Sequence, residues 1–247
     1  MKNSNKNKKS NQEIIIGFTL GVVKHFMEPM SNETLQMFLD AGANALEISF
    51  IKLERLEKIP LLEINLIKKF KHVSIHLPKI EYRNDKATKD ILEKISGFAT
   101  KINAVVLVLH PDLVKEWQVI EDLGLPIGIE NMNASKETGK TVEQLTRIFK
   151  SHDLKFVLDT NHVYSVDSSM KLNGDMINAF SHRLVEVHAS ATSKEEDHIS
   201  FLNAHQEFLI KAIPAHVPII LETAIHDECS ASRLKKELSY VKKFLQE

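Results

Sequence analysis

Six short apolar runs along this chain each lead to a side chain of a metal-binding type. Ile75 precedes His76, Val105 to Leu109 precede His110, and Ile127 to Ile129 precede Glu130. Phe156 to Leu158 precede Asp159, Val185 to Val187 precede His188, and Ile219 to Leu221 precede Glu222. Buried strands read as near-continuous apolar runs, so a charge at the end of one sits where the strand leaves the core. Any one of these is an ordinary strand-end residue. Together they place imidazoles and carboxylates at one rim, where the carboxylates repel each other unless a cation neutralises them. That ligand mix suits zinc, manganese or iron better than calcium. His162 lies three residues beyond Asp159, and Glu196 and His198 lie in the loop after His188. With these included the candidate ligands exceed the four or so that one zinc ion takes. Two or three ions bridged by a carboxylate is the economical reading.

The elements that must hold such a site follow from the pattern of alternation. Strands are expected at Ile14–Thr19, Ala45–Phe50, Val73–Leu77, Val105–His110, Pro126–Glu130, Phe156–Asp159, Leu184–His188 and Pro218–Glu222. Amphipathic helical segments separate them, which is the pattern of βα units and a parallel sheet. Ser31 and the Thr141-to-Gln144 capping box open two of those helices, and Gly42 closes the first. The stretch after Asp159 reads as a loop before a helix from about Met170 to Phe180, and the helix after the second strand is expected from about Leu61 to Phe70. Eight strands and eight helices in strict alternation predict a single-domain (β/α)8 TIM barrel over residues 13–247, with its active site at the C-terminal ends of the strands. No G-x-G-x-x-G follows the first strand to favour an open dinucleotide-binding sheet.

Composition narrows the function class. The 247 residues are 43% hydrophobic and 26% charged, with formal net charge −1, so no global field argues for nucleic acid or a membrane. The single cysteine, Cys229, excludes an internal disulfide framework and a thiolate-rich zinc site. Residues 1–12 are Lys, Asn and Ser without an apolar anchor and are expected to be a disordered basic tail. That tail followed by Ile14 to Val23 faintly mimics a secretory signal, but no small-residue cleavage site follows. No run reaches the ~20 apolar residues of a membrane span. A soluble, cytoplasmic protein is the expectation.

The runs "IHLP", "LVLHPD", "IGIENMN", "VLDTNH", "VEVHAS", "EDH" and "IILET" resemble the endonuclease IV branch (AP endonuclease family 2) of the xylose isomerase-like barrels, over nearly the whole chain after the tail. The resemblance implies three zinc ions. By it, His76 and His110 hold one ion and Glu130 bridges to a second, completed by Asp159, His188 and Glu222. His162, Glu196 and His198 hold the third, with Glu196 where that family usually has Asp. The implied activity is hydrolysis of a phosphoester, with abasic-site DNA or a small phosphoester as substrate. Glu130 would orient a shared metal-bound water, and Glu47, Lys79 and Asn131 would contact substrate. The same superfamily holds sugar and sugar-phosphate isomerases and epimerases that use one Mn2+ or Mg2+ ion. These need only Glu130, Asp159, His188 and Glu222, with Glu130 and Glu222 exchanging protons. The aromatic DNA wedge of the endonuclease has no counterpart after His76, where Pro78 and Lys79 stand; Tyr82 and Arg83 are the nearest substitutes.

Overall fold

A computed structural model describes residues 13–194 and 196–246; the tail at residues 1–12 lies outside the described residues. Eight parallel strands close on themselves in chain order: β1 (Ile16–Thr19), β2 (Ala45–Ser49), β3 (His72–His76), β4 (Val106–Leu109), β5 (Ile127–Glu130), β6 (Lys155–Asp159), β7 (Leu184–Ala189) and β8 (Ile219–Leu221). Closure is made by β1 against β8, where Ile16 pairs with Ile219. The helices are α1 (Asn32–Asp40), α2 (Ile64–Ile67), α3 (Lys86–Ile102), α4 (Gln118–Glu121), α5 (Val142–Ser151), α6 (Thr160–Val166), α7 (Lys171–Phe180), α8 (Phe201–Ala204), α9 (Glu207–Lys211) and α10 (Ala231–Leu245). None is long and apolar enough to cross a membrane. The architecture is the predicted single-domain (β/α)8 barrel.

The long helices start where the sequence supplies a cap. Ser31, Asp85, Thr141 and Ser230 each accept a hydrogen bond from the backbone N–H three residues on, satisfying a donor that the first turn leaves orphaned. Gln144 in the Thr141 box reaches one residue further back than the motif specifies, accepting from Lys140 N at 2.9 Å. Several connections differ from the expected alternation, two of them for evident local reasons. Between β2 and β3 the chain forms a 3-10 helix over Leu53–Leu61 and then only the single turn of α2; Pro60 within that stretch cannot donate the bond an α-helix needs. After β6 no loop intervenes, and α6 starts at once because Asp159 itself serves as the cap, accepting from His162 N at 2.8 Å.

Side chains alternate across each strand, and the two faces differ in kind. Outward residues such as Phe18, Ile48, Ile75, Leu107, Phe156 and Leu221 join the large apolar layer between the sheet and the helices. Inside the barrel the apolar cluster is small, built on Val106, Val108 and Val157. The rest of the interior carries Glu47, His72, Ser74, His76, Glu130, Asp159, Glu186 and His188, all buried. Stability is thus invested in the outer layer, leaving the bore free to be polar.

Candidate metal centre

Strand ends gather the first cluster. His76 closes β3, Glu130 closes β5, and His110 follows the last residue of β4. All three are buried. His76 Nε2 faces His110 Nε2 at 3.1 Å, and Glu130 Oε2 lies 2.9 Å from His110 Nε2 and 3.4 Å from His76 Nε2. His76 Nδ1 donates to Leu77 O at 2.9 Å, so its Nε2 carries a lone pair. Two facing imidazole nitrogens beside one carboxylate oxygen share a single proton at most, or a cation. Burial pushes the His110 pKa down to about 4, so this ring is a neutral base across the ordinary range, the form in which imidazole ligates metals.

The second cluster shares Glu130. One ligand atom each from Glu130, Asp159, His188 and Glu222 falls within 4.8 Å of all the others. His188 Nδ1 is 3.4 Å from Glu130 Oε1 and 3.5 Å from Glu222 Oε1. The two oxygens of Glu130 therefore face different clusters. Burial pushes Asp159 up to about 6, with Glu130 and Glu222 adding repulsion against the attraction of His162. Burial also disfavours the His188 imidazolium, but Glu47, Glu222 and Glu130 outweigh it and hold that pKa well above its ordinary value. Glu130 Oε2, Asp159 Oδ2 and His188 Nδ1 are buried without a hydrogen-bond partner. Orphaned polar atoms are costly; Glu130 Oε2 in the first cluster and Asp159 Oδ2 and His188 Nδ1 in the second have donor chemistry that fits divalent ions.

The remaining expected site residues fall in different places. His162 joins the second cluster's edge, 3.4 Å from Glu130 Oε1, and donates from Nδ1 to Asn131 O at 2.8 Å. His198 approaches Glu222 at 3.6 Å. Glu196 is not brought in; it is exposed and pairs with His226 at 2.7 Å, so His162, Glu196 and His198 are not gathered as a third ligand set. Lys79 is exposed and close enough to His110 to disfavour its charged form. Two substrate assignments are corrected by position. Asn131 is fully buried, and its amide exchanges hydrogen bonds with the Asp159 backbone at 2.7 and 3.0 Å, clamping β5 to β6. Glu47 lies two residues before the end of β2 and beneath His188, 3.3 Å from Nε2. Tyr82 is buried with its hydroxyl donating to Pro78 O, so it is no wedge.

Two residues of the site escaped the sequence reading. Glu186 and His72 lie inside the bore, with Glu186 hydrogen-bonded to both His188 and His72. Although burial raises its pKa, those two imidazoles hold Glu186 down at about 2. The signal was available: Glu186 stands two before His188, and His72 four before His76, each on the inward face of its strand.

Fold and site together define a (β/α)8 barrel whose C-terminal rim carries a shared-carboxylate cluster able to hold divalent ions. Comparison with solved structures places it in the xylose isomerase-like fold. A D-tagatose 3-epimerase-like protein aligns at TM-score 0.63 and 17% identity, covering 94% of this chain and 98% of its own. Endonuclease IV from Thermus thermophilus aligns at TM-score 0.62 and 13% identity, with the same shares covered. The IolI protein with a bound zinc atom aligns at TM-score 0.63 and 13% identity, again over 94% and 98%. No family model matches the sequence, and no curated protein matches it.

Proposed function

We propose that this chain is a two-ion metalloenzyme that hydrolyses phosphoesters. The observation that supports this above all is the splayed Glu130 carboxylate, with Oε2 toward His76 and His110 and Oε1 toward His188 and His162. A carboxylate so placed is a bridge between two ion sites, and a one-ion reaction has no use for His76 beside His110. Zinc, when bound, would supply a water of near-neutral pKa and stabilise the leaving oxygen. Glu130 would orient that water between the two sites, while Glu222 and Asp159 would fix the second site's geometry. Lys79, exposed at the rim, offers a charge to a phosphate, and strand-end burial excludes bulk water from the reacting atoms. An abasic-site duplex and a small phosphodiester are the candidate substrates.

A second reading has its own observation. Glu130, Asp159, His188 and Glu222 form a complete ligand set without the histidine pair, as a one-ion (Mn2+ or Mg2+) sugar isomerase or epimerase needs, with Glu130 and Glu222 moving protons. The D-tagatose 3-epimerase-like neighbour makes ketoses the sugars to test. The decisive assay offers zinc- and manganese-loaded protein an abasic-site duplex, an aryl phosphodiester and a ketohexose. Ester cleavage that falls roughly 10²–10³-fold in Glu130→Gln is the expected result. Ketose turnover with both esters untouched refutes the hydrolase.

A further inference from the structure

Beneath the rim, a chain of three buried groups crosses the bore from β3 to β7. His72 Nε2 meets Glu186 Oε2 at 2.5 Å, and Glu186 Oε1 meets His188 Nε2 at 2.9 Å. Glu186 and His188 are fully buried and His72 nearly so. A carboxylate accepts and does not donate, so Glu186 draws the His188 proton to Nε2. In the neutral ring that leaves the lone pair on Nδ1, the atom facing Glu130 and Glu222. Glu47 Oε2, at 3.3 Å, is further from Nε2 and makes no hydrogen bond. The other two rim imidazoles with a fixed tautomer use a different device: His76 and His162 donate from Nδ1 to backbone carbonyls and so turn Nε2 outward. His188 is held the opposite way round, and only a side chain does it.

We propose that Glu186 is a positioning residue, seated on His72, that locks His188 as the Nε2–H tautomer and so presents Nδ1 to the ion held with Glu130, Asp159 and Glu222. The inference rests on the metal-site reading above. Partners of this kind orient the ring and raise its basicity, and their loss typically costs about 10–100-fold in metal affinity. The carboxylate also cannot be replaced by the apolar residue that an interior strand position ordinarily takes, which explains a buried acid in the middle of β7.

The test measures zinc affinity by chelator competition and His188 tautomer by 15N NMR, on the wild-type chain, Glu186→Met and Glu186→Gln. Methionine keeps the volume and removes the acceptor; the glutamine amide oxygen can still accept. In Glu186→Met one zinc ion is expected to weaken about 10–100-fold while the ion at His76 and His110 stays. Glu186→Gln is expected to remain within a few-fold of wild type. Zinc-loaded wild type is expected to show Nε2–H with Nδ1 on the metal. Wild-type affinity for both ions in Glu186→Met, or a proton on His188 Nδ1 in zinc-loaded wild type, overturns the proposal. Should Glu186→Met not fold, the wild-type tautomer and Glu186→Gln still decide. Absence of zinc from wild type defeats the metal-enzyme reading instead, and the tautomer is then read on metal-free protein in alkali, where the ring is neutral.

Discussion

Replacing His110 with alanine separates the two ion sites. His110 contributes to the first cluster, where its Nε2 lies 2.9 Å from Glu130 Oε2 and 3.1 Å from His76 Nε2, and it belongs to no other group of candidate ligands among the described residues. Structural zinc sites with four protein ligands bind with about 10–16 kcal/mol at neutral pH, or roughly 2.5–4 kcal/mol per ligand. At 1.4 kcal/mol per decade, losing one imidazole weakens the first ion by about 10²–10³-fold. The second cluster keeps all four of its members. Elemental analysis of protein exchanged into micromolar zinc is therefore expected to give two ions per chain for wild type and one for His110→Ala. Competition with a chromophoric chelator then assigns the retained ion a wild-type affinity. Two tight ions in the variant would refute the role of His110. Loss of both would refute the independence of the quartet, the two ions then depending on one another through Glu130.

Other perturbations test the same electrostatics. His188 is held charged near neutrality by the surrounding carboxylates, and a cation must displace that proton. Loading zinc at pH 7 in weak buffer should therefore acidify the solution, and apparent affinity should climb with pH between about 6 and 8, up to tenfold per unit per proton displaced; a pH-stat titration without proton release contradicts this. Chelator should lower Tm, because an ion at 1,000 times its Kd stabilises the fold by about 4 kcal/mol, worth roughly 8–16 °C in a chain of this size; superimposable melting curves with and without chelator exclude tight binding. At the start of α10, Arg233 is buried and bonded to Glu237 at 3.0 Å, while Glu237 also accepts from Phe201 N at 2.7 Å. Arg233→Met strands that buried carboxylate and should cost about 3–5 kcal/mol, read as a lower denaturant midpoint with unchanged zinc content; an unchanged midpoint refutes it.

The barrel and the positions of most rim residues were legible because one rule covers both. A buried parallel strand is an apolar run, and the residue that ends it is the first free to be charged. His76, Glu130, Asp159, His188 and Glu222 follow that rule. Glu186 is hidden because it interrupts the run Val185 to Val187 rather than ending it, and His72 because it stands just before the run that begins at Val73. Period-2 alternation would have found them, since Glu186 and His188 share a face, as do His72, Ser74 and His76. The β6–α6 junction was hidden for a different reason. Asp159 is both a candidate ligand and a helix cap, and the single residue type fits either role, so nothing before folding shows that it does both. Glu196 stands where the resemblance to endonuclease IV puts a ligand, yet an exposed loop turns it toward His226. Loop geometry is set by such local pairings, which spacing does not encode.

The polar bore has an energetic consequence that ties the two cores together. Filling it with Glu47, Glu130, Asp159, Glu186 and His188 removes the aliphatic layers that usually pack a barrel of this kind, and buried charges lower stability unless each is paired. The outer layer of Phe, Ile and Leu must therefore carry the fold, and the charges must settle with one another. Lower in the bore Glu186 settles on His72 and His188. At the rim Glu130 splays between two imidazole groups, and Asp159 Oδ2 and His188 Nδ1 make no hydrogen bond. Unpaired atoms occur at both levels, since neither carboxylate oxygen of Glu47 beneath His188 is hydrogen-bonded, nor is Ser74 Oγ on the inward face of β3. What sets the mouth apart is the kind of atom gathered there: imidazole nitrogens and carboxylate oxygens from four strand ends lie within 4.8 Å of one another. Such a gathering could hold cations at the mouth, and the Glu186 pairs below hold His188 in place for it.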